Sequence, residues 1–398
     1  MVEWEKIELG SNNLAEFDYE NLGSDTDPSY RFKYITLENV DNGKLLQYID
    51  CIFASAPSRA RRIVHKNDLL ISTVRPNLHS HYKVEGNISN VICSTGFCVI
   101  RTNEAILDHN FLYHLFYSNI IGKQIELIIS GSSYPAINSN DIKKIEIPLP
   151  PLPEQIRIAE ALSDTDESIG AMEKLIAKKR TIKQGAMQEL LTGKRRLLGF
   201  SDEWVEKKVS DFGVVVTGAT PSTSVVEYWN GNIPWVTPTD ISVAKDIFIT
   251  ERMITECGLS VIRELPANTL LITCIASIGK NTILRSIGAS NQQINAIIPK
   301  ADYNVDFLYY LFEIYKSYLL GKAGQTATSI ISKQDFSELI FTVPCSLSEQ
   351  TAIASILSDM DAEIAALTAK LHKLRNIKQG MMSELLTGHI RLVEQKAR

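Results

Sequence analysis

EQIRIAEALSDTDESIGAMEKLIAKKRTIKQGAMQELLTG, residues 154–193, returns as EQTAIASILSDMDAEIAALTAKLHKLRNIKQGMMSELLTG, residues 349–388, without a gap and identical at 22 of 40 positions. Self-similarity over that length means that one unit has been built twice. In the second copy Leu357, Met360, Ile364, Leu367, Leu371, Leu374, Lys378, Met381 and Leu385 alternate three and four residues apart, a heptad seam with a single polar position. The first copy places Leu162, Thr165, Ile169, Met172, Ile176, Lys179, Lys183, Ala186 and Leu190 there, a poorer seam. One such segment alone would read as a helix packed on its own domain. Two in one chain supply each other's partner, with Ile169, Met172, Ile176, Ile364, Leu367, Leu371 and Leu374 as the interhelix set.

Outside the copies the chain repeats in a second way: Trp4 recurs as Trp204, and Leu69-Leu70-Ile71-Ser72 as Leu270-Leu271-Ile272-Thr273. The fold class expected is α+β, with two mixed α/β domains separated by a pair of long antiparallel helices and related by a pseudo-twofold. The divisions are 1–150 for the first domain, 151–198 for a central helical region, 199–345 for the second domain and 346–398 for a distal helical region. Leu69 to Val74 and Val91 to Arg101 read as strands. Phe111 to Ile128 reads as helical, with a break at Gly122. Ile145 to Pro153 reads as a strand leaving the domain into a proline-stiffened connector. Gly193 and Gly388 suit helix C-caps.

The antiparallel expectation comes from the linkers. The first domain feeds the start of helix one and the second begins just past its end, so the two would sit at opposite ends of that helix. From Asp166 to Leu191 the helix spans about 39 Å at roughly 1.5 Å per residue, close to the roughly 34 Å of one DNA turn. That length suits a ruler.

Composition narrows the class. The chain has 398 residues, 44% apolar and 22% charged, the balance of a globular protein of two or three domains. No apolar run reaches the roughly 18 residues needed to span a bilayer, and the N-terminus does not resemble a secretory signal, so a cytoplasmic location is expected. The six cysteines lack paired spacing and suit reduced thiols, with no metal site.

The motifs of common catalysts are missing: there is no GxxxxGK[ST] phosphate loop, no HExxH, no GxSxG and no Asn-Pro-Pro or Asp-Pro-Pro. The reading is that the chain is not an enzyme and holds no cofactor of its own. The net charge of −5 is unhelpful for nucleic acid, but its distribution is uneven. Residues 58–83 hold Arg59, Arg61, Arg62, Lys66, Arg75 and Lys83 against Asp68 alone, with His79 in the same window. Arginine forks pair with guanine edges and cations neutralise phosphates, so these residues are candidates for contact with a duplex. A solvated charged face is the bland alternative. In the second domain the candidates are Thr220, Lys280, Arg285, Asn291 and Gln292.

With these residues in view the chain resembles the specificity subunit of type I restriction-modification systems, over essentially its whole length. The resemblance rests on IPLPPLPEQIRIAEALSDTD at 147–166, SLSEQTAIASILSDMD at 346–361 and the two LLTG ends at 190 and 385. TGATPSTSVVEYWNGNIPWVTPTDI at 217–241, VRPNLHSHYKV at 74–84 and STGFCVIR at 94–101 add to it, as do ASIGKNTIL and SNQQINAIIP in the second half. The connector VPCSLSEQ departs from it by lacking the proline run of the first copy.

The resemblance implies two target-recognition domains, each reading half of an interrupted DNA site, and helices that set the spacer and dock two methyltransferase subunits. It implies motor-nuclease subunits as further partners, and S-adenosylmethionine, ATP and Mg on those partners rather than on this chain. The alternatives are a specificity partner of another DNA-methylation system, or a protein-binding scaffold with the helices as spacer.

Overall fold

The computed structural model describes residues 4–78, 80–86, 89–129, 135–241, 244–322 and 330–392. The chain forms two compact units, one of residues up to Glu173 together with those from Ala369, the other of Lys174–Thr368. Both long helices, Leu152–Leu190 and Leu347–Leu385, run without interruption for 39 residues, so each contributes one half to each unit. Gly185 and Gly380 break neither helix.

Within each unit the two helical halves run antiparallel. In the first unit Asp166 meets Lys378 at 2.6 Å and Glu173 meets Arg375 at 2.7 Å, so the partner number falls as the first rises. In the second, Lys179 meets Glu363 at 2.6 Å and Lys183 meets Asp361 at 2.5 Å. These ion pairs explain the poorer seam: lysines at the seam positions 179, 183 and 378 reach carboxylates on the facing helix. The apolar seam is covered as the heptad requires, with Leu162, Ile176, Leu190, Leu357, Leu371 and Leu385 buried. Ile169, Met172, Ile364, Leu367 and Leu374 are half-buried.

Each helix end is fastened by the same device. Glu154 and Glu349 lie in the first turns, where a carboxylate favours the helix dipole, and each is only 1% exposed. Arg391 grips Glu154 through two bonds of 2.6 Å, and Arg196 grips Glu349 through bonds of 2.7 and 2.8 Å. The neighbouring Gln155 and Gln350 donate to the carbonyls of Pro150 and Pro344 at 2.8 and 3.1 Å. Gly193 and Gly388 close the other ends with φ of 70° and 76°, against the rings of Trp204 and Trp4.

The first unit holds two four-stranded sheets. One has the order Ile49–Ile52, Arg31–Ile35, Val91–Ser94, Ala60–Val64; the other Ala15–Phe17, Phe97–Thr102, Leu69–Ser72, Tyr82–Lys83. The run expected as one strand from Val91 to Arg101 is therefore two, bent at Thr95-Gly96 so that each part joins a different sheet. The helical run is also two, His109–Phe116 and Asn119–Ile128. The break falls before Ser118, whose hydroxyl caps the second helix, and not at Gly122.

The second unit repeats the plan with a five-stranded sheet ordered Gly213–Thr217, Ile294–Pro299, Thr269–Thr273, Asn281–Leu284, Asp246–Ile247. Beside it lies a three-stranded sheet of Met253–Ile254, Trp229–Val236 and Ala289–Ser290. In both units a strand at or just after the tryptophan, Lys6–Glu8 or Trp204–Lys208, pairs antiparallel with the strand leading into a long helix, Glu146–Pro148 or Ile340–Pro344. All six cysteines are free; Cys93, Cys98 and Cys274 are buried, whereas Cys257 and Cys345 are exposed.

Candidate nucleic-acid interface

The strand Leu69–Ser72 is fully buried, and the chain has to surface past its end because Arg75 arrives three residues later. The turn is held from both sides. Thr73 donates its backbone N–H to Gly96 at 2.9 Å, Arg75 donates to Pro135 at 2.8 Å, and Ile137 donates back to Thr73 at 2.9 Å. Thr95 in turn donates to Arg59 at 2.9 Å. Four backbone segments thus converge at this end of the strand, and Arg59, Arg75, Asn77, Leu78 and Thr95 are exposed on them.

The second unit builds the counterpart from the strand Thr269–Thr273. Cys274 donates to Gln293 at 3.0 Å, Ile331 donates to Cys274 at 2.9 Å, and Ala219 donates to Ser290 at 2.8 Å. The Thr220 hydroxyl donates to the Gln292 side chain at 2.6 Å. Lys280 is exposed and accepts from Thr273 at 2.9 Å through its backbone carbonyl. Thr220, Lys280, Asn291 and Gln292 are therefore gathered at one end of this sheet, with Asn291 itself buried and donating to Gln293 at 3.2 Å.

The remaining sequence candidates lie elsewhere. Arg62 is 15% exposed and pairs with Asp18, which also accepts from Ser139; burial holds its guanidinium below the usual range. Arg285 comes just after the far end of the strand Asn281–Leu284 and joins Asp246 at 2.6 Å and Asp306 at 2.5 Å. Burial would lower its pKa, but those two carboxylates carry it upward. Both guanidiniums are thus used inside the fold. Arg61 lies 5.0 Å from the Phe53 ring centre and donates to the Ala60 carbonyl.

Lys66 and Lys83 sit at the opposite end of the strand Leu69–Ser72 from Arg75, with Lys83 donating to Asn110 at 2.5 Å. His79 lies outside the described residues. Thr95, Asn77 and Leu78, which the cluster includes, carry no charge signal in the sequence; only the pairing of the strands brings them to the surface beside Arg59 and Arg75. Among the described residues no group of three or more His, Cys, Asp or Glu side chains is placed to hold a metal ion, and no helix is long and apolar enough to cross a membrane.

Two units of one plan thus each end in a loop cluster that carries cations, amides and hydroxyls. The chain belongs to the type I restriction modification DNA specificity domain family, whose model matches residues 2–179 and again 201–376. Among its relatives is the type I restriction enzyme HindI specificity subunit of Haemophilus influenzae, 24% identical over 86% of this chain and 90% of the relative. The MjaIX specificity subunit of Methanocaldococcus jannaschii is 36% identical over 40% of this chain and 38% of the relative. In fold the chain is similar to the HsdS subunit from Thermoanaerobacter tengcongensis, with a TM-score of 0.54, 24% identity and 98% of both chains covered. It is also similar to a chain from a study of complex assembly in the type I R-M system, with a TM-score of 0.64, 24% identity and 98% and 99% covered.

Proposed function

We propose that this chain is the DNA-recognition subunit of a type I restriction-modification complex, each unit reading one half of an interrupted duplex site. The observation that carries the reading is the repeated loop cluster: the same ends of equivalent sheets present Arg59 and Arg75 in one unit and Thr220, Lys280 and Gln292 in the other. Cations there supply affinity by displacing counterions, while forks and amides supply base choice. The two 39-residue helices, about 58 Å long at 1.5 Å per residue, are the element that sets the spacer and docks two methyltransferase subunits. Those subunits, with S-adenosylmethionine, and the ATP- and Mg-dependent motor-nuclease subunits supply the chemistry.

The test is to map N6-methyladenine in host DNA with and without this gene. The expected result is loss of methylation at one asymmetric two-part motif; no change would overturn the reading. Within that motif Arg59→Ala is expected to weaken binding of the reconstituted complex several-fold at near-physiological salt, and Lys66→Ala far less. Equal losses would show that the opposite end of the sheet also meets DNA.

A further inference from the structure

Ten non-glycine residues among those described have φ in the left-handed region, and eight of them are asparagine or aspartate. Those side chains tolerate the conformation because their short polar groups bond locally. The other two are Arg75, at φ 49°, and Ala276, at φ 61°. They occupy the same place in the two units, three residues past the ends of the equivalent strands Leu69–Ser72 and Thr269–Thr273.

A left-handed residue with an ordinary side chain costs free energy that glycine would not, and it persists only where the surroundings over-determine it. Here they do. Val74 bridges to Ala136 and Ile275 to Ile330, and the bonds from Thr73 to Gly96 and from Cys274 to Gln293, each in a bend between two sheets, hold the other flank. The Ser72 hydroxyl donates to Val74 at 2.7 Å and the Thr273 hydroxyl to Ser277 at 2.5 Å, so each turn is also tied to the end of its own strand. The result in each unit is a crest pinned on both flanks whose central side chain is exposed.

We infer that these two crests are equivalent base-reading positions, resting on the DNA-recognition reading above, and that they impose different demands. Arg75 presents a planar fork suited to the O6 and N7 of guanine in the major groove, with Asn77 and the 57%-exposed Leu78 beside it. Ala276 presents a methyl group, which can only meet an apolar edge such as the thymine methyl, so base choice in the second half falls to its neighbours, foremost Gln292. A crest pinned in this way loses little backbone freedom on binding, which gives an arginine there more discrimination than one on a loose loop.

The test uses the full chain reconstituted with the methyltransferase partner of its own host, selected on a randomised duplex library. Arg75→Gly keeps the backbone conformation and removes the fork. It is expected to erase preference at one base pair of one half-site, leave the other half-site unchanged and lower affinity for the parental site about 10- to 100-fold. Ala276→Arg is expected to create a new preference confined to the other half-site. The melting temperature of Arg75→Gly, at or above that of the parent, separates loss of reading from loss of fold.

An unchanged motif in both variants overturns the inference. So does a uniform loss across all sequences in which the salt slope falls by about one, since that marks a phosphate contact. If the parental complex itself selects no motif, the DNA-recognition reading fails and not merely the crests.

Discussion

The two units press the same helix against their long helices but put a different polar residue at its centre. FLYHLF at 111–116 and FLYYLF at 307–312 correspond, so His114 stands where the second unit has Tyr310. Both are at most 2% exposed. His114 Nε2 lies 3.1 Å from the Ser163 hydroxyl, and its Nδ1 lies 3.9 Å from Asp166. The Tyr310 hydroxyl lies 3.3 Å from that of Ser358 and donates to Asp361 at 2.7 Å. The partners are the same letters of the repeated LSD-x-D motif, and in each unit a lysine of the facing helix, Lys378 or Lys183, neutralises the aspartate.

A duplicated frame thus keeps the place of a buried polar group without keeping its chemistry. Burial, reinforced by the positive charges of Lys378 and Lys83, pushes His114 down to about 3. Tyr310, raised by burial and then by Asp361, stays a neutral donor.

The largest effect that would set the units apart is expected at the helix-end clamps. Arg391→Ala and Arg196→Ala each strand a buried glutamate and are expected to cost about 3 kcal/mol. Hydrogen exchange should lose protection in the first unit for Arg391→Ala and in the second for Arg196→Ala. Equal loss everywhere in both variants would mean that the units do not open separately.

A smaller effect is pH-dependent. Unfolded, His114 takes up a proton below about 6.5; folded, it resists until about 3. The unfolded chain therefore binds more protons in that window, and the first unit loses stability as pH falls, by at most about 1.4 kcal/mol per pH unit. Melting curves between pH 7 and pH 5 should show a shallower slope for His114→Tyr and a new slope for Tyr310→His. Parallel slopes in all three proteins would remove the histidine from the account.

The smallest effect concerns Glu173, which Lys44 and Arg375 both reach at 2.7 Å and hold below the usual carboxylate range. The repeat puts Thr368 at the matching position of the second unit. Because Lys44 is 68% exposed, Lys44→Ala is expected to cost under about 0.5 kcal/mol and to lose even that at high salt. A larger, salt-independent loss would mean that this contact has a packing role the second unit lacks.

Much of the frame was legible. The heptad spacing anticipated which residues of both helices are covered, and the Trp4 and Trp204 echo anticipated two units of one plan. Less legible were the points where the chain changes sheets. In VICSTGFCVIR the only mark of the bend is the short Ser94-Thr95-Gly96 run between two apolar stretches, and the neighbours on either side decide that each stretch joins a different sheet. Arginines were the least legible: the basic window looks like one patch, yet Arg62 turns inward to Asp18 while Lys66 and Arg75 part to opposite ends of a strand.

The duplication, the heptad seam and the helix caps were determined in the sequence, because a repeat is read by direct alignment and because periodicity and glycine chemistry act within a few residues; the antiparallel direction followed from the linkers. Tertiary packing alone decided which cations face outward and which are spent on internal carboxylates. Among the described residues it also singled out Arg75 and Ala276 as the two ordinary side chains held in a left-handed turn. A backbone angle of that kind leaves no mark in the sequence unless glycine or asparagine stands there, and here the neighbouring chain segments impose it instead.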